Sequence, residues 1–357
     1  MALNKNLSIN GLRGLASLIV IIYHVYGMAY LSGFFEERSR SGMFKVISNF
    51  GAIGVNLFFM ISGYLIIGSL LRHKNIKLFL IDRVIRIYPL FLSLHILLFL
   101  VGPIINYSWF SQITIASYLV NFFSNVFLLP GIFDLPIAQK NAWSLSYEFT
   151  FYILAAWGFS SFFKISYSKI INLILFLCAS LSLILIHHTM IFFVLGVIIY
   201  YVGNKFDVFY FKYRLYLLTG LPLFVWLLYV YEDSNVLSIS ILVPSLFLFL
   251  NVVKQKGMLN FLLKSNVFQK LGDISYSMYL LHPFVLFGVK IIFSVIDIQM
   301  YIKNEYILII LFGLISILIT VIVAMASHRL IEVSLTKKIK QKVYKKYVVN
   351  IKREKIS

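Results

Sequence analysis

The chain of 357 residues is 61% hydrophobic and 13% charged, with a mean hydropathy of +0.90. That composition excludes a water-soluble globule with a polar surface and points to a polytopic membrane protein. The formal net charge is +19, but the basic residues sit in short segments between apolar runs, the largest block being KKIKQKVYKKYVVNIKREK near the end, a pattern of membrane orientation and not of nucleic-acid binding.

The first apolar run, NGLRGLASLIVIIYHVYG, carries Arg13 at its head and has no small-residue cleavage site behind it. It reads as a retained span and not as a removed signal. Scanning for runs of about 20 apolar residues predicts spans at 12–31, 50–71, 87–105, 143–163, 170–187, 189–203, 215–231, 234–253, 273–296 and 306–327. The stretch QITIASYLVNFFSNVFLL, 112–129, is a further candidate, weakened by Gln112, Thr114, Ser117, Asn121, Ser124 and Asn125.

Charge decides against that further span. With the N-terminus in the cytoplasm, every Lys and Arg except Arg38, Arg40, Lys45, Lys140, Lys303 and the intramembrane Lys290 falls on the cytoplasmic side, and Glu36, Glu37, Glu232, Asp233, Asp297 and Glu305 fall outside. One more crossing would place the basic tail outside, against the positive-inside rule. Residues 106–142 therefore read as one long outer segment that either dips into the membrane or lies on it, long enough to form part of a site. The expected fold is all-α: a polytopic transmembrane helix bundle of about ten spans, with both termini cytoplasmic. It comprises a single transmembrane domain over 1–335 and a basic cytoplasmic tail over 336–357. Neither a fixed-period repeat nor the paired broken helices of an inverted-repeat transporter stands out. The single cysteine, Cys178, excludes an intramolecular disulfide and reads as a small packing residue.

Ionisable residues inside spans are costly, about 2.5–3.5 kcal/mol each on insertion scales, and so require a partner or a task. Arg13 and His24 are eleven residues apart, about 16 Å of rise and about 20° past three full turns, so they share one face at different depths. Arg13 fits either an interfacial anchor or a phosphate-binding cation; His24 fits either a neutral tie to a neighbouring helix or a base. Glu148, in NAWSLSYEFTFYILAAWGF, enters from the outside about one and a half turns down, at a depth similar to His24. A His–carboxylate pair is sterically open to them, and a carboxylate on one imidazole nitrogen raises the basicity of the other. Trp143 and Tyr147 are equally well explained as interfacial aromatics.

On the cytoplasmic side, Arg83 and Arg86 in IDRVIRIYPLF are three residues apart on one helical face. They fit either positive-inside anchoring or a fork-geometry clamp on phosphate oxygens, with Asp82 as a nearby partner for one of them. Ser62 and Gly63 permit close helix approach in the second span. In LGDISYSMYLLHPFV, Ser275, Tyr279 and His282 fall at i, i+4 and i+7 on one stripe that either lines a cavity or forms a hydrogen-bonded seam. His73, His187, His188 and His328 read as solvated, and no grouping has metal-ligand spacing, so no metal is expected.

Taken in order, these fragments resemble the membrane acyltransferase-3 family of bacterial polytopic O-acyltransferases. The opening run resembles its Arg, ten residues, His signature; FFMISGYLI its second helix; RVIRIYPLF its RxxRIxP segment; WSLSYEF its WSLSxE segment; and ISYSMYLLHPFV its SYSxYLxH segment. The likeness covers nearly the whole chain. Departures are Asn10 in place of a common Asp, Asp82 in place of a frequent second Arg, Phe149 in place of a frequent second Glu, and HRLIEVSL without the proline usual after its Glu332. No additional soluble hydrolase-like domain is read after the membrane unit, unlike the longer fused members.

The resemblance implies a multi-pass protein of the bacterial inner membrane that transfers an acetyl or other short acyl group from cytoplasmic acyl-CoA to a hydroxyl of a cell-surface or lipid-linked polysaccharide. The implied roles are His24 as general base or transient acyl carrier, oriented by Glu148, with Arg83, Arg86 and Arg13 on the phosphates and pantetheine of the donor. Ser275, Tyr279, His282 and Trp143 are implied thioester or substrate contacts. The implied partners are acyl-CoA, the glycan acceptor, the lipid bilayer and other polysaccharide-biosynthesis membrane proteins. The alternative reading is a transporter or flippase of a glycan intermediate.

Overall fold

The computed structural model describes residues 6–34, 43–73, 75–105, 107–110, 113–162, 167–203, 205, 220–231 and 235–354. The loop charges Arg38, Arg40, Glu36, Glu37, Glu232 and Asp233, and the first residues of the expected 215–231 span, lie outside the described residues. The described chain is helical and contains no strand. In order, its α-helices are α1 (Leu7–Leu31), α2 (Met43–His73), α3 (Ile76–Val101), α4 (Ile115–Val126), α5 (Ala142–Phe162), α6 (Tyr167–Ile186) and α7 (Ile191–Val202). There follow α8 (Leu221–Val230), α9 (Ile239–Lys254), α10 (Met258–Leu263), α11 (Asn266–Val295), α12 (Ile298–Tyr301), α13 (Glu305–Ser327) and α14 (Thr336–Glu354). A π-helical stretch, His328–Leu335, joins the last two.

Five stretches among the described residues are long and apolar enough to cross a membrane: Leu7–Leu31, Val46–His73, Ile76–Val101, Asn266–Val295 and Glu305–Lys345. Shorter apolar helices occupy Ile170–Ile186, His188–Val202, Leu221–Val230 and Ile239–Lys254. Helix starts follow local chemistry. Asn6 accepts from the Ile9 N–H at the head of α1, and Asn75 from the Leu78 N–H at the head of α3, each satisfying a donor the helix leaves unpaired.

The chain forms two compact units, Met1–Ser69 with Lys164–Val323, and Leu70–Phe163 with Ala324–Ser357. In the first unit α1 packs along α11. Their backbones meet because glycines face each other: a Cβ on Gly14 would stand 2.8 Å from both the Gly272 nitrogen and the Phe268 carbonyl oxygen. Asn10 seals the same seam, its amide donating to the Gln269 carbonyl at 3.0 Å and to the Asp273 carboxylate at 3.1 Å. That gives the Asn10 departure a physical reason, since an aspartate there would confront Asp273. Gly63 of α2 abuts the Phe193 backbone, and a Cβ on Gly196 would crowd the Met60 carbonyl and the Tyr64 nitrogen, so the close approach expected around Ser62–Gly63 is made with α7.

In the second unit α3 packs against α4, α5 and α14. Helix α4 lies inside the expected 106–142 segment. At about 18 Å long it is too short to cross a hydrocarbon core of about 30 Å. Its polar residues Asn121, Ser124 and Asn125 are buried, whereas Ile115, Leu119, Val120 and Phe123 are exposed. Asn125 donates to the Pro136 carbonyl at 2.9 Å and accepts from the Ala138 N–H at 3.0 Å, tying the following loop to α4. Cys178 lies on an exposed face of α6, not in a packed interior.

Candidate active site

Helix α1 is unbroken from Leu7 to Leu31, so the eleven-residue register of Arg13 and His24 holds, with about 16 Å of rise between them. Arg13 is half-buried one residue before the Gly14–Gly272 approach. His24 is also half-buried; its ring lies 4.9 Å from Tyr23 and 5.0 Å, centroid to centroid, from His282 on α11. His282 is wholly buried. Its Nδ1 is 3.2 Å from the Met278 carbonyl, which can only accept, so Nδ1 carries the proton of the neutral ring and Nε2 holds a bare lone pair. Nε2 is buried without a hydrogen-bond partner among the described residues. Pro283, inside α11, lacks the N–H that would bind the carbonyl one turn back, and the His282 ring occupies that turn.

The other members of the α11 stripe differ in what they do. Tyr279 is buried with its ring 5.7 Å from Phe58 and 5.9 Å from His282. Ser275 is wholly buried and donates to the Gly272 carbonyl at 2.9 Å. The first unit thus gathers His24, Tyr279 and His282, with Ser275 and Arg13 nearer the glycine seam.

The second unit gathers the other candidates. Glu148 is half-buried on α5 and accepts a hydrogen bond from Tyr152, four residues on and buried. Arg83 of α3 lies over the rings of Phe79 and Tyr152, with its guanidinium carbon 5.6 Å and 5.9 Å from their centroids. Its electrostatic neighbours are Arg86, Tyr152, Asp82 and Glu148. Arg86 is exposed on the same face. Two guanidiniums in this register present fork donors to phosphate oxygens, and the aromatic bed beneath Arg83 fixes one of them in plane. Trp143, half-buried at the head of α5, packs edge-on against Tyr147 at 5.4 Å and has Gly131 against its backbone.

Asp82 does not bond either arginine. Its side chain, 8% exposed, binds His73 Nε2 at 2.7 Å, Lys340 Nζ at 2.9 Å and Tyr344 Oη at 2.9 Å. His73, expected in a solvated loop, is instead part of this cluster, and His328 lies 3.4 Å from Glu332. The sequence also carried a usable sign of Tyr152: it stands at i+4 from Glu148, the spacing at which helical side chains meet. No grouping of His, Cys, Asp and Glu suited to a metal ion occurs among the described residues.

A family model described as an acyltransferase domain matches residues 6–328. Acyltransferase MdmB of Streptomyces mycarofaciens is 27% identical over 157 residues, which is 41% of this chain and 37% of that protein. The match therefore spans little more than a third of that relative's length. No solved structure matches the chain.

Proposed function

The chain belongs to the acyltransferase-3 family, and from that premise we propose that it is a bacterial inner-membrane enzyme that moves an acetyl or other short acyl group from cytoplasmic acyl-CoA to a hydroxyl of a surface or lipid-linked polysaccharide. The observation that carries the reading is the imidazole pair. His24 stands within a helix long enough to cross a membrane, and its ring neighbour, His282, presents an unprotonated nitrogen.

In this reading His24 is the general base. The two rings lie 5.0 Å apart, and a rotation of His24 on acceptor binding would let one of its nitrogens donate to His282 Nε2, leaving the other to take the proton of the acceptor hydroxyl. The hydroxyl oxygen attacks the thioester carbonyl carbon, and the carbonyl π electrons move to oxygen. Collapse of that intermediate breaks the C–S bond, and the departing thiolate takes the proton back from His24. Transient acylation of His24 itself, with transfer in a second step, uses the same geometry.

The thioester carbonyl needs a donor as charge develops on its oxygen. His282 in its present tautomer offers none at Nε2, and the Ser275 hydroxyl donates to Gly272, so Tyr279 takes that part. Arg83 and Arg86 bind donor phosphates and Arg13 lines the pantetheine path. Glu148, which accepts from Tyr152, is the orienter of His24 that the resemblance implies, an alternative to His282 because neutral His24 has a single N–H to donate. Trp143 completes the acceptor side as a stacking surface for a sugar ring.

The test is incubation of membranes containing the protein with radiolabelled acetyl-CoA and the host's glycan. Label in the glycan is expected; glycan movement without consumption of acetyl-CoA would replace the enzyme by a transporter or flippase.

A further inference from the structure

Asp82 occupies an unusual position for a carboxylate in a site proposed to bind phosphates. It immediately precedes Arg83, and on a helix it shares a face with Arg86 at i+4, the spacing at which an acid and a guanidinium ordinarily pair. Left to itself, a carboxylate there would hold one arginine and repel an incoming phosphate. The structure instead fills its oxygens from elsewhere: Oδ2 from His73 at the end of α2, Oδ1 from both Lys340 and Tyr344 of α14. Lys340 also lies over the Tyr344 ring, 5.3 Å from its centroid, so the two donors brace each other. The Lys340 and Tyr344 bonds span more than 250 residues of sequence and join α14 to the first turns of α3.

We propose that α14 is part of the donor site, and that Lys340 and Tyr344 are positioning residues that hold the Asp82 carboxylate away from Arg86, keeping that exposed guanidinium for a donor phosphate. The inference rests on the reading of Arg83 and Arg86 as phosphate ligands. It assigns the basic segment after the last long apolar helix a task beyond membrane orientation. It also gives the Asp82 departure a consequence: a chain with an acid at this position requires a cation and a hydroxyl from α14 to neutralise it.

The test uses the full chain in membranes, with two readouts: binding of coenzyme A, and KM and kcat for acetyl-CoA. The double variant K340M/Y344F frees Oδ1 of Asp82 to take Arg86, His73 remaining on Oδ2, and it is expected to weaken coenzyme A binding and raise KM by about tenfold, the scale of one lost charge-assisted contact, with kcat within about twofold. Adding D82N removes the competing charge while keeping its shape, and is expected to return binding and KM to within about twofold of the parent. Unchanged binding in K340M/Y344F, or a loss that D82N does not relieve, overturns the proposal, the second result identifying α14 as a brace only. Failure of the parent to transfer label while it still binds coenzyme A would defeat the acyl-transfer reading and leave the clamp to be judged on binding alone.

Discussion

His24 and His282 bear different burdens at the same contact. His24 is half-buried, whereas His282 is sealed, its Nδ1 committed to the Met278 carbonyl and its Nε2 left as an acceptor. In the proposed mechanism an acceptor in that position, once His24 turns to it, would fix which nitrogen of His24 carries the proton, the task a carboxylate performs in a Ser-His-Asp triad. His282→Leu is therefore expected to lower kcat by about 100-fold with KM for acetyl-CoA nearly unchanged. His282→Gln, whose amide oxygen reaches close to the position of Nε2, is expected to retain activity within about tenfold. Equal losses in the two variants would assign His282 to packing alone. The sequence places His282 near mid-depth and His24 past the middle toward the outside but gives no lateral arrangement of spans, so their adjacency was not legible from it. Glu148–Tyr152, by contrast, lies on one helix at i+4 and was legible. Asp82 with Lys340 was not, because nothing local links residues that far apart in sequence.

Among the elements, α1 and α11 show how far apolar periodicity carries. Their existence follows from run length, but the contact between them depends on Gly14 and Gly272, where any side chain would meet backbone. Gly14→Ala is expected to destabilise the first unit by about 1–3 kcal/mol, the usual cost of overpacking, because carbonyl and amide atoms cannot rotate away as a side chain can. Thermal unfolding in detergent checks this: the variant should melt several degrees below the parent, and an unchanged midpoint would mean the helices separate at no cost. Helix α4 is the instructive counterexample. Of the residues that weakened 112–129 as a span, Asn121, Ser124 and Asn125 are buried while Thr114 and Ser117 are exposed, and its apolar face points outward. In a soluble protein that pattern would be inverted. Next to lipid it is the economical arrangement, because the loop after α4 needs those side chains as backbone partners and the bilayer accepts the remainder.

For the whole molecule, composition settles the class and motif order settles the family, while the chemistry depends on contacts that neither reveals. The family match over residues 6–328 ends before α14 begins. The central claim is that His24 does the chemistry of acyl transfer to a glycan. Its most direct test is mass spectrometry of the surface polysaccharide from cells expressing either the parent chain or His24→Ala at matched membrane levels. The parent should show sugars heavier by one acyl group, about 42 Da for acetyl, and His24→Ala should show the unmodified mass, its loss corresponding to the about 10²–10⁴-fold that a positioned base contributes. Equal acylation in the two samples would contradict the assignment.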